Sequence, residues 1–597
     1  MLSETSTKPF FSSTEIIPVS YSTDSLNSTF SPTLLLLDVI PFLKGDTIRQ
    51  EKDTMDRKSI TGFLLIALVI ILYPWYMSIV SPSIPDENNT DKINDKESEQ
   101  VELGDNSSIS IKPSNDKSSD LKSKQIIIES DLYTIKMLNK NGGSFVEYKL
   151  NNYTKHDSTI IDLIDPIEND NLLLKFVSMD GERISLDKNW EILSNQKKVT
   201  IGDNKEILEF QTFYQGKLIK KIFTFYPNSY KIGLQVVFDD PNIFISRGEF
   251  TLAWNGGLTT TEKNYKSDYQ EFRGYAYLGD ELFGSKLKSG NTNSESQNGN
   301  TNWVAIRTKY FITSIIPSMP GLGATVGGKL SGDRPSYSIE IHNPVMNKSQ
   351  FDLYIGPMDY IRIKSLDVGL ENAMSLGWGI FKPIGRLITW TLKTMYSVIP
   401  NYGIVVILFA FLIKLLLNPL SIKQFKSQKK MQEIQPRLQE IKRKYKNDTA
   451  KLSRAQMQLF KDSGYNPASA CLPLFLQMPI LIAVFTVFRT TVDFRGAPFF
   501  GWISDLSAPD TLFTLAGIPI NILPFFMGGT MFLQQKMMSA NNSDPQQKTI
   551  MYVMNAVFLV LFYSFPSGLN LYYAVFNILS IAQQSYMGVG QLNTATK

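Results

Sequence analysis

Tyr402-Gly-Ile-Val-Val-Ile-Leu-Phe-Ala-Phe-Leu-Ile-Lys-Leu-Leu-Leu-Asn-Pro-Leu420 is an apolar run broken by a single charge, Lys414. Its length approaches what a helix needs to cross a hydrocarbon core of about 30 Å. A lysine at such a depth costs about 2.5–3.5 kcal/mol on insertion scales, so intramembrane charges usually face a bundle interior or water. At ~1.5 Å per residue, Lys414 lies roughly 9–13 Å from the Leu420 end of the run. Two readings follow. The ammonium serves a polar hollow among helices, or its ~6 Å stem snorkels to the headgroups.

Four further apolar stretches follow, near Cys471–Phe488, Leu512–Leu533, Ile550–Phe565 and Leu569–Tyr586. Several are short for a span, and Pro473, Pro479, Pro519 and Pro524 interrupt them. Neighbouring helices or water can satisfy the carbonyls that prolines release, and short spans suit a locally thinned bilayer. Between the first two stretches, Ser421–Asn466 carries twelve Lys/Arg against four Asp/Glu. That excess places the loop in the cytoplasm. Met431, Ile434, Leu438, Ile441 and Tyr445, then Leu452, Ala455 and Leu459, predict two amphipathic helices joined at Lys446-Asn447-Asp448, with a kink at Pro436. The basic face fits a ribosome or anionic lipid, and it equally fits a solvated surface that obeys topology.

Near the N-terminus, Ile60–Val80 is uncharged over about 21 residues and ends in Tyr73, Pro74, Trp75 and Tyr76, which suits an uncleaved span with an interfacial aromatic end. A cleaved signal peptide would have a shorter apolar core ending in small residues. Arg57 and Lys58 keep its start inside, so the chain beyond it is expected outside. Met55-Asp-Arg-Lys reads as a natural start, so residues 1–54 are expected to be either left out by translation from Met55 or a disordered extension. Residues 81–124 are polar enough to be a flexible tether.

From Gln125 the period changes to two. Tyr230, Ile232, Leu234 and Val236 alternate with polar or small residues, and Phe223 and Phe225 precede them across Pro227-Asn228. Many such runs predict a large antiparallel sandwich of roughly 240 residues. Gly284–Asn302 is rich in Gly, Ser and Asn and is expected to be a disordered loop within it. In Gly379–Val398, Phe381, Ile384, Ile388, Leu392 and Met395 share one helical face and Lys382, Arg386, Thr389 and Lys393 another. Such a helix is expected to lie in the interface, with an ordinary packed helix as the alternative.

Composition narrows the functions. The chain is 43% hydrophobic and 12% aromatic with a net charge of only +4, so no global field for nucleic acid is indicated. One cysteine, Cys471, allows no internal disulfide, and two histidines leave little for a metal or acid–base site. Gly323-Ala-Thr-Val-Gly-Gly-Lys329 imitates a phosphate loop but lacks the hydroxyl after its lysine, where Leu330 stands. No cofactor, metal or catalytic set is expected. If Lys414 faces a wet hollow, that hollow would receive polar, acidic segments while an apolar segment passes into lipid, with no bond made or broken. Gln477, Gln534, Gln535, Asn570, Asn577, Gln583 and Gln584 could line it or simply bond helix to helix. Tyr572 and Tyr573 read equally as substrate contacts or core aromatics.

Several motifs together resemble the YidC/Oxa/Alb membrane protein insertase family, in its Gram-negative form. They include Trp303-Val-Ala, Leu353-Tyr-Ile-Gly-Pro357, Asn418-Pro-Leu420, Cys471-Leu-Pro-Leu-Phe-Leu-Gln-Met-Pro479, Ala497-Pro-Phe499, Asp505-Leu-Ser507, Phe565-Pro-Ser-Gly568 and Leu571-Tyr-Tyr573. The similarity runs from about Met55 to Tyr586. It implies a polytopic α-helical inner-membrane protein of six spans with both termini cytoplasmic, plus a periplasmic all-β supersandwich. The expected divisions are an anchor at 55–80, a linker at 81–124, the supersandwich at 125–375, an interfacial helix at 376–399 and a five-span insertase core at 400–590 containing the hairpin 421–466.

The resemblance also implies a hydrophilic groove with its cation at Lys414, and Gln477, Gln534, Tyr572 and Tyr573 are expected from their place in the spans to be the other substrate contacts. Nascent membrane proteins would be its clients, and the Sec translocon, the ribosome and the bilayer its partners, without sequence-specific nucleic-acid binding. The family's groove cation is Arg in many members, and Lys414 keeps the charge without the bidentate fork. Ala410 stands where some members carry a hydroxyl. A transporter or channel with a periplasmic receptor domain is the rival reading, and a tethered periplasmic enzyme is a third. N-terminal sequencing of the native protein should begin at or just after Met55; a mature end well before it refutes that start.

Overall fold

The computed structural model describes residues 112–113, 121–155, 157–167, 170–285, 287, 292–374, 376, 381–515, 518–538 and 545–587, with backbone alone at 112–113, 467–478, 538, 545–548 and 550. The expected anchor at 60–80 and most of the tether lie outside them. Lys112–Pro113, inside the expected tether, pairs in parallel with Ile184–Ser185 of the sandwich.

Alternation builds the β domain as expected. Lys231–Phe238 buries every second residue, with Ile232, Leu234 and Val236 facing the core. It pairs antiparallel with Lys217–Phe225 on one side and Lys348–Pro357 on the other. Asn228 turns between the first two strands at φ 51. The described strands of the domain form one sheet of fifteen and a second of five. Trp190, Trp254, Trp303, Phe210 and Phe223 are almost wholly buried in its core. Two details correct the expectation. Gln125–Glu129 runs parallel to Lys198–Thr200, so the pairing is mostly rather than wholly antiparallel. The domain also carries helical turns, α1 (Tyr265–Tyr269) and α2 (Tyr360–Lys364).

The segment expected to be a disordered loop is largely strand. Thr292–Arg307 pairs with Gly321–Ser331 from Thr292↔Lys329 to Asn298↔Gly323. Its small polar residues match a partner strand of glycines, and backbone pairing needs no apolar side chain when both faces meet water. The same pairing places the phosphate-loop imitation in extended strand, so its backbone amides form no cradle.

The helical part comprises α3 (Phe381–Val398), α4 (Tyr402–Leu416), α5 (Asn418–Lys444), α6 (Thr449–Asp462), α7 (Pro467–Thr490), α8 (Leu523–Met538), α9 (Pro545–Tyr563) and α10 (Ser567–Tyr586). The helical hairpin forms as read, with Asp448 capping α6 through Lys451 N at 3.0 Å and Pro436 inside α5. Among the described residues no single helix is both long and apolar enough to cross a membrane; α4 and α5 meet the criterion together, bent by 64°. The expected span Leu512–Leu533 is a composite. Thr511–Leu515 and Ile518–Asn521 form a β-hairpin, and helix begins only at Leu523.

The sandwich and the helices meet through buried charge. Lys393 of α3 reaches Asp359 at 2.7 Å and Asp493 at 3.3 Å, with 9% of its side chain exposed. The expected polar face of α3 is therefore covered by protein at Lys393 and Thr389, while Leu387 and Trp390 stand exposed. Burial alone would lift the Asp359 carboxyl, but Lys393 and the amides of Arg362 and Ile361 hold it below its ordinary value. Burial wins at Asp493 and pushes it up against the pull of Lys393.

Two more contacts cross the junction. Arg307, 1% exposed, pairs with Glu271 at 2.7 Å, and Glu271 also meets Arg489 of α7 at 3.5 Å. Arg495 pairs with Glu262 at 2.7 Å and donates to the Thr154 carbonyl at 2.6 Å. Removing one partner of a buried pair costs about 3–5 kcal/mol because the other charge stays behind. Lys393→Met should therefore destabilise the protein by about that amount, seen as a lower thermal midpoint in detergent, with Asp493→Asn partly restoring it.

Candidate substrate-contacting site

α4 is amphipathic in an unusual sense: both faces are apolar, but only one is covered. Val405, Val406, Phe409, Ala410, Ile413 and Lys414 are buried on the face turned to α10. Ile404, Leu408, Phe411, Leu412, Leu415 and Leu416 are exposed on the other. The spacing of about 3.6 residues per turn puts Lys414 above Ala410 on the inward side. Its ammonium therefore points into the bundle rather than at the outer apolar surface. Gly403 lets α4 begin so close to the Ala497-Pro-Phe499 turn that a Cβ would sit 1.9 Å from the Phe499 ring.

Lys414 Nζ donates to Ser580 Oγ at 2.7 Å, and Ser580 in turn donates to the Phe576 carbonyl at 2.8 Å. The ammonium also lies 5.0 Å from the Phe576 ring centroid and 5.6 Å from that of Phe425 in α5. Among the described residues no carboxylate pairs with it. A lysine offers three donors, so one hydroxyl and two ring faces leave it under-satisfied by oxygen. Ala410, one turn before Lys414, offers no hydroxyl, and Ser580 supplies one from α10.

One turn beyond Ser580, Gln584 is fully buried, and neither atom of its amide has a partner among the described residues. Gln583 donates to Asn418 Oδ1 at 2.5 Å, tying α10 to the start of α5. These groups gather at the end of the bundle away from the sandwich. At the other end, Gly568 N donates to the Leu506 carbonyl at 2.9 Å and Ser567 Oγ to the Asp505 carbonyl at 2.8 Å. Thus Asp505-Leu-Ser507 and Phe565-Pro-Ser-Gly568 set the entry of α10.

The other candidates are distributed differently. Tyr572 is 3% exposed, with its ring 5.9 Å from Phe409, 5.8 Å from Phe488 and 5.9 Å from Phe576, so it reaches Lys414 only through Phe576. Tyr573 is half-buried against Phe562 at 5.2 Å. Gln534 is half-buried on α8, one turn after Thr530, which accepts from Asn577 at 3.4 Å. Gln535 accepts from Asn555, joining α8 to α9. Asn570 donates to the Phe562 carbonyl at 3.1 Å across the α9–α10 joint. The side chain of Gln477 lies outside the described residues. Ser580, Phe425 and Phe576 were missed as site residues. The stripe Asn570, Asn577, Ser580, Gln584, spaced seven, three and four, was the signal for Ser580.

Two family models match the chain: the YidC periplasmic domain over residues 125–391 and the 60Kd inner membrane protein over 394–592. The membrane protein insertase YidC of Chlorobium limicola is 33% identical over 556 residues, covering 89% of this chain and 94% of the relative. The chain belongs to the YidC insertase family. The YidC of Chlorobium phaeovibrioides is likewise 33% identical, over 89% of this chain and 95% of its own length. A crystal structure of an active YidC insertase with its first transmembrane domain resolved aligns over 78% of this chain at 18% identity, with a TM-score of 0.35. The two YidC family models meet within α3, the helix that the sandwich and the bundle share.

Gln584→Leu replaces an unpartnered buried amide with an apolar group of similar size. It should raise the thermal midpoint, by about 1–2 kcal/mol in stability, and lower the yield of inserted client if the amide keeps water beside Lys414.

Proposed function

We propose that this chain is an inner-membrane insertase whose working element is the Lys414 ammonium. The observation that carries the reading is its position: turned inward from a helix with an exposed apolar back, resting on one neutral hydroxyl. A bare cation in that place is costly unless it meets an anion in use. A client carboxylate reaching within 4 Å gains about 4 kcal/mol at an effective dielectric near 20, and less as water enters. Onward movement of that negative charge is favoured by the membrane potential, by about 2.3 kcal/mol per charge per 100 mV. The client's apolar segment passes into lipid alongside, so the work lies in lowering a desolvation barrier.

Access runs from the cytoplasmic side. Phe425 of α5 covers the ammonium, so the site opens when the α5–α6 hairpin draws back, and the groove reading applies to that opened state. Gln583, Gln584, Ser580 and Asn418 then offer amides and a hydroxyl to water and to a polar client tail. Gln534, Gln477 and Tyr573 are assigned to the client's path, and Tyr572 to the wall behind Phe576. The basic hairpin is suited to the ribosome, and action alone or beside the Sec translocon fits the same geometry. The chain is read as multi-pass with both termini cytoplasmic and the sandwich periplasmic.

Reconstitution in liposomes tests the assignment. With a small single-span client bearing an acidic external tail, Lys414→Glu should lower insertion about tenfold or more, the equivalent of at least ~1.4 kcal/mol. Lys414→Arg should retain most of it. Wild-type yield from a folded Lys414→Glu variant overturns the electrostatic role.

A further inference from the structure

The β-hairpin of Thr511–Leu515 and Ile518–Asn521 is unlike the rest of the molecule. Its first strand is exposed along its whole length, and Leu512, Phe513, Leu515 and Ile518 present apolar side chains to the outside. The register shifts at Leu512, between the pairs Thr511↔Asn521 and Phe513↔Ile520, so alternation runs from Phe513: Phe513 and Leu515 share a face with their partners Ile520 and Ile518, and Thr514 and Pro519 share the other. One face of the hairpin is therefore apolar, and it stands exposed at Phe513, Leu515 and Ile518.

The base of the hairpin is firmly built. Asp510, 3% exposed, accepts from the amides of Ile522 at 2.9 Å and Leu523 at 2.7 Å and from Trp502 Nε1 at 3.1 Å. Asn521 donates to the Tyr563 carbonyl at 2.8 Å and accepts from Thr511 Oγ1 at 2.8 Å. Tyr563 donates its hydroxyl to the Pro519 carbonyl. The hairpin thus projects at a set angle from the end of the bundle where Arg495 meets the sandwich.

Its surroundings name the occupant. Phe525 and Phe526 at the start of α8 are exposed, as are Phe500 and Trp502 beside Asp510. No charged residue stands between Asp510 and Lys536. The chain thus passes from the exposed hairpin to the exposed Phe525 and Phe526 of α8 without a charge. That helix has 16 residues, which gives about 24 Å against a hydrocarbon core of about 30 Å. A two-stranded hairpin leaves backbone N–H and C=O groups unpaired along its outer edges, and these cannot enter the hydrocarbon. Headgroups and interfacial water can satisfy them and Thr514, while acyl carbons take up the face of Phe513, Leu515 and Ile518.

We propose that this hairpin is an interfacial element held in the external leaflet, with its partner the upper acyl region of the lipid. It completes the short α8 at the headgroup boundary. The proposal rests on reading the helices as membrane-embedded, and the test separates the two.

In a Cys471→Ala background, the variants Phe513→Cys, Leu515→Cys, Phe411→Cys and Ile160→Cys are labelled with an environment-sensitive dye in phosphatidylcholine–phosphatidylglycerol vesicles. Spin labels are placed high or low on the acyl chain, and iodide is the aqueous quencher. At Phe513 and Leu515 the high label should quench about twofold more than the low one, in keeping with a depth at the headgroup boundary. Phe411, on the outer face of α4, should favour the low label, and Ile160, exposed on the sandwich, should respond to iodide alone. Iodide quenching at Phe513 and Leu515 with lipid quenching at Phe411 overturns the hairpin's role and leaves the helices embedded. Lipid quenching absent from Phe411 as well overturns both. Shielding of Phe513 and Leu515 from every quencher, relieved by diluting the protein, points to a second copy of the chain and also overturns it.

Discussion

An ammonium resting on a hydroxyl, with no carboxylate beside it among the described residues, is the interaction on which the proposed function depends. Its meaning comes from contrast. At the sandwich junction, Lys393, Arg307 and Arg495 each meet a carboxylate within 3.3 Å. Lys221, wholly buried in the sandwich, has none, but it donates to the carbonyls of Asn141 and Leu172 and lies 5.3 Å from the Trp190 ring, and burial pulls it down to about 7. The sequence therefore compensates buried cations where structure is the aim. Lys414 is compensated by one oxygen and two aromatic faces, enough to hold it inward and too little to satisfy it.

That arrangement needs a stiff frame. The Tyr572, Phe409, Phe488 and Phe576 rings lock α4, α7 and α10 together behind the ammonium. Asp505, Ser567 and Gly568 fix where α10 begins, and the charged junction fixes the sandwich end of α3 and α7. The polar residues expected to form one lining divide into two kinds. Gln535, Asn570 and Asn577 bond helix to helix, as polar groups in a membrane bundle commonly do. Ser580, Gln583 and Gln584 gather near Lys414, and there Gln584 leaves both of its amide atoms without a partner among the described residues.

Periodicity made much of this legible. Alternation at Tyr230–Val236 and the 3-4 stripe at Met431–Tyr445 each gave the element that forms, and the lone charge in the Tyr402 run marked the candidate site. Where side chains no longer report their surroundings, the reading failed. Leu512–Leu533 is apolar throughout, and an apolar run reads the same as strand or as helix. The β-branched Thr511, Thr514, Ile518 and Ile520 were its only sign of strand. Thr292–Asn302 failed for the opposite reason, since its pairing depends on a glycine-rich partner distant in sequence. The roles of Lys393 and Thr389 were hidden as well, because amphipathicity tells which residues are polar and not what covers them.

The bend between α4 and α5 has a mechanical consequence. One residue, Leu417, separates the two helices, and Pro419 contributes no amide to carry the helical ladder through. The joint thus behaves as a pivot with a long arm beyond it. Phe425 sits about 12 Å along that arm and Lys444 about 40 Å, at ~1.5 Å per residue. A swing of roughly 10° moves the ring by about 2 Å and the far tip by about 7 Å, on the same rise per residue. In the proposed function, leverage of this kind would let a modest displacement at the tip uncover the ammonium while the helix that carries it stays still.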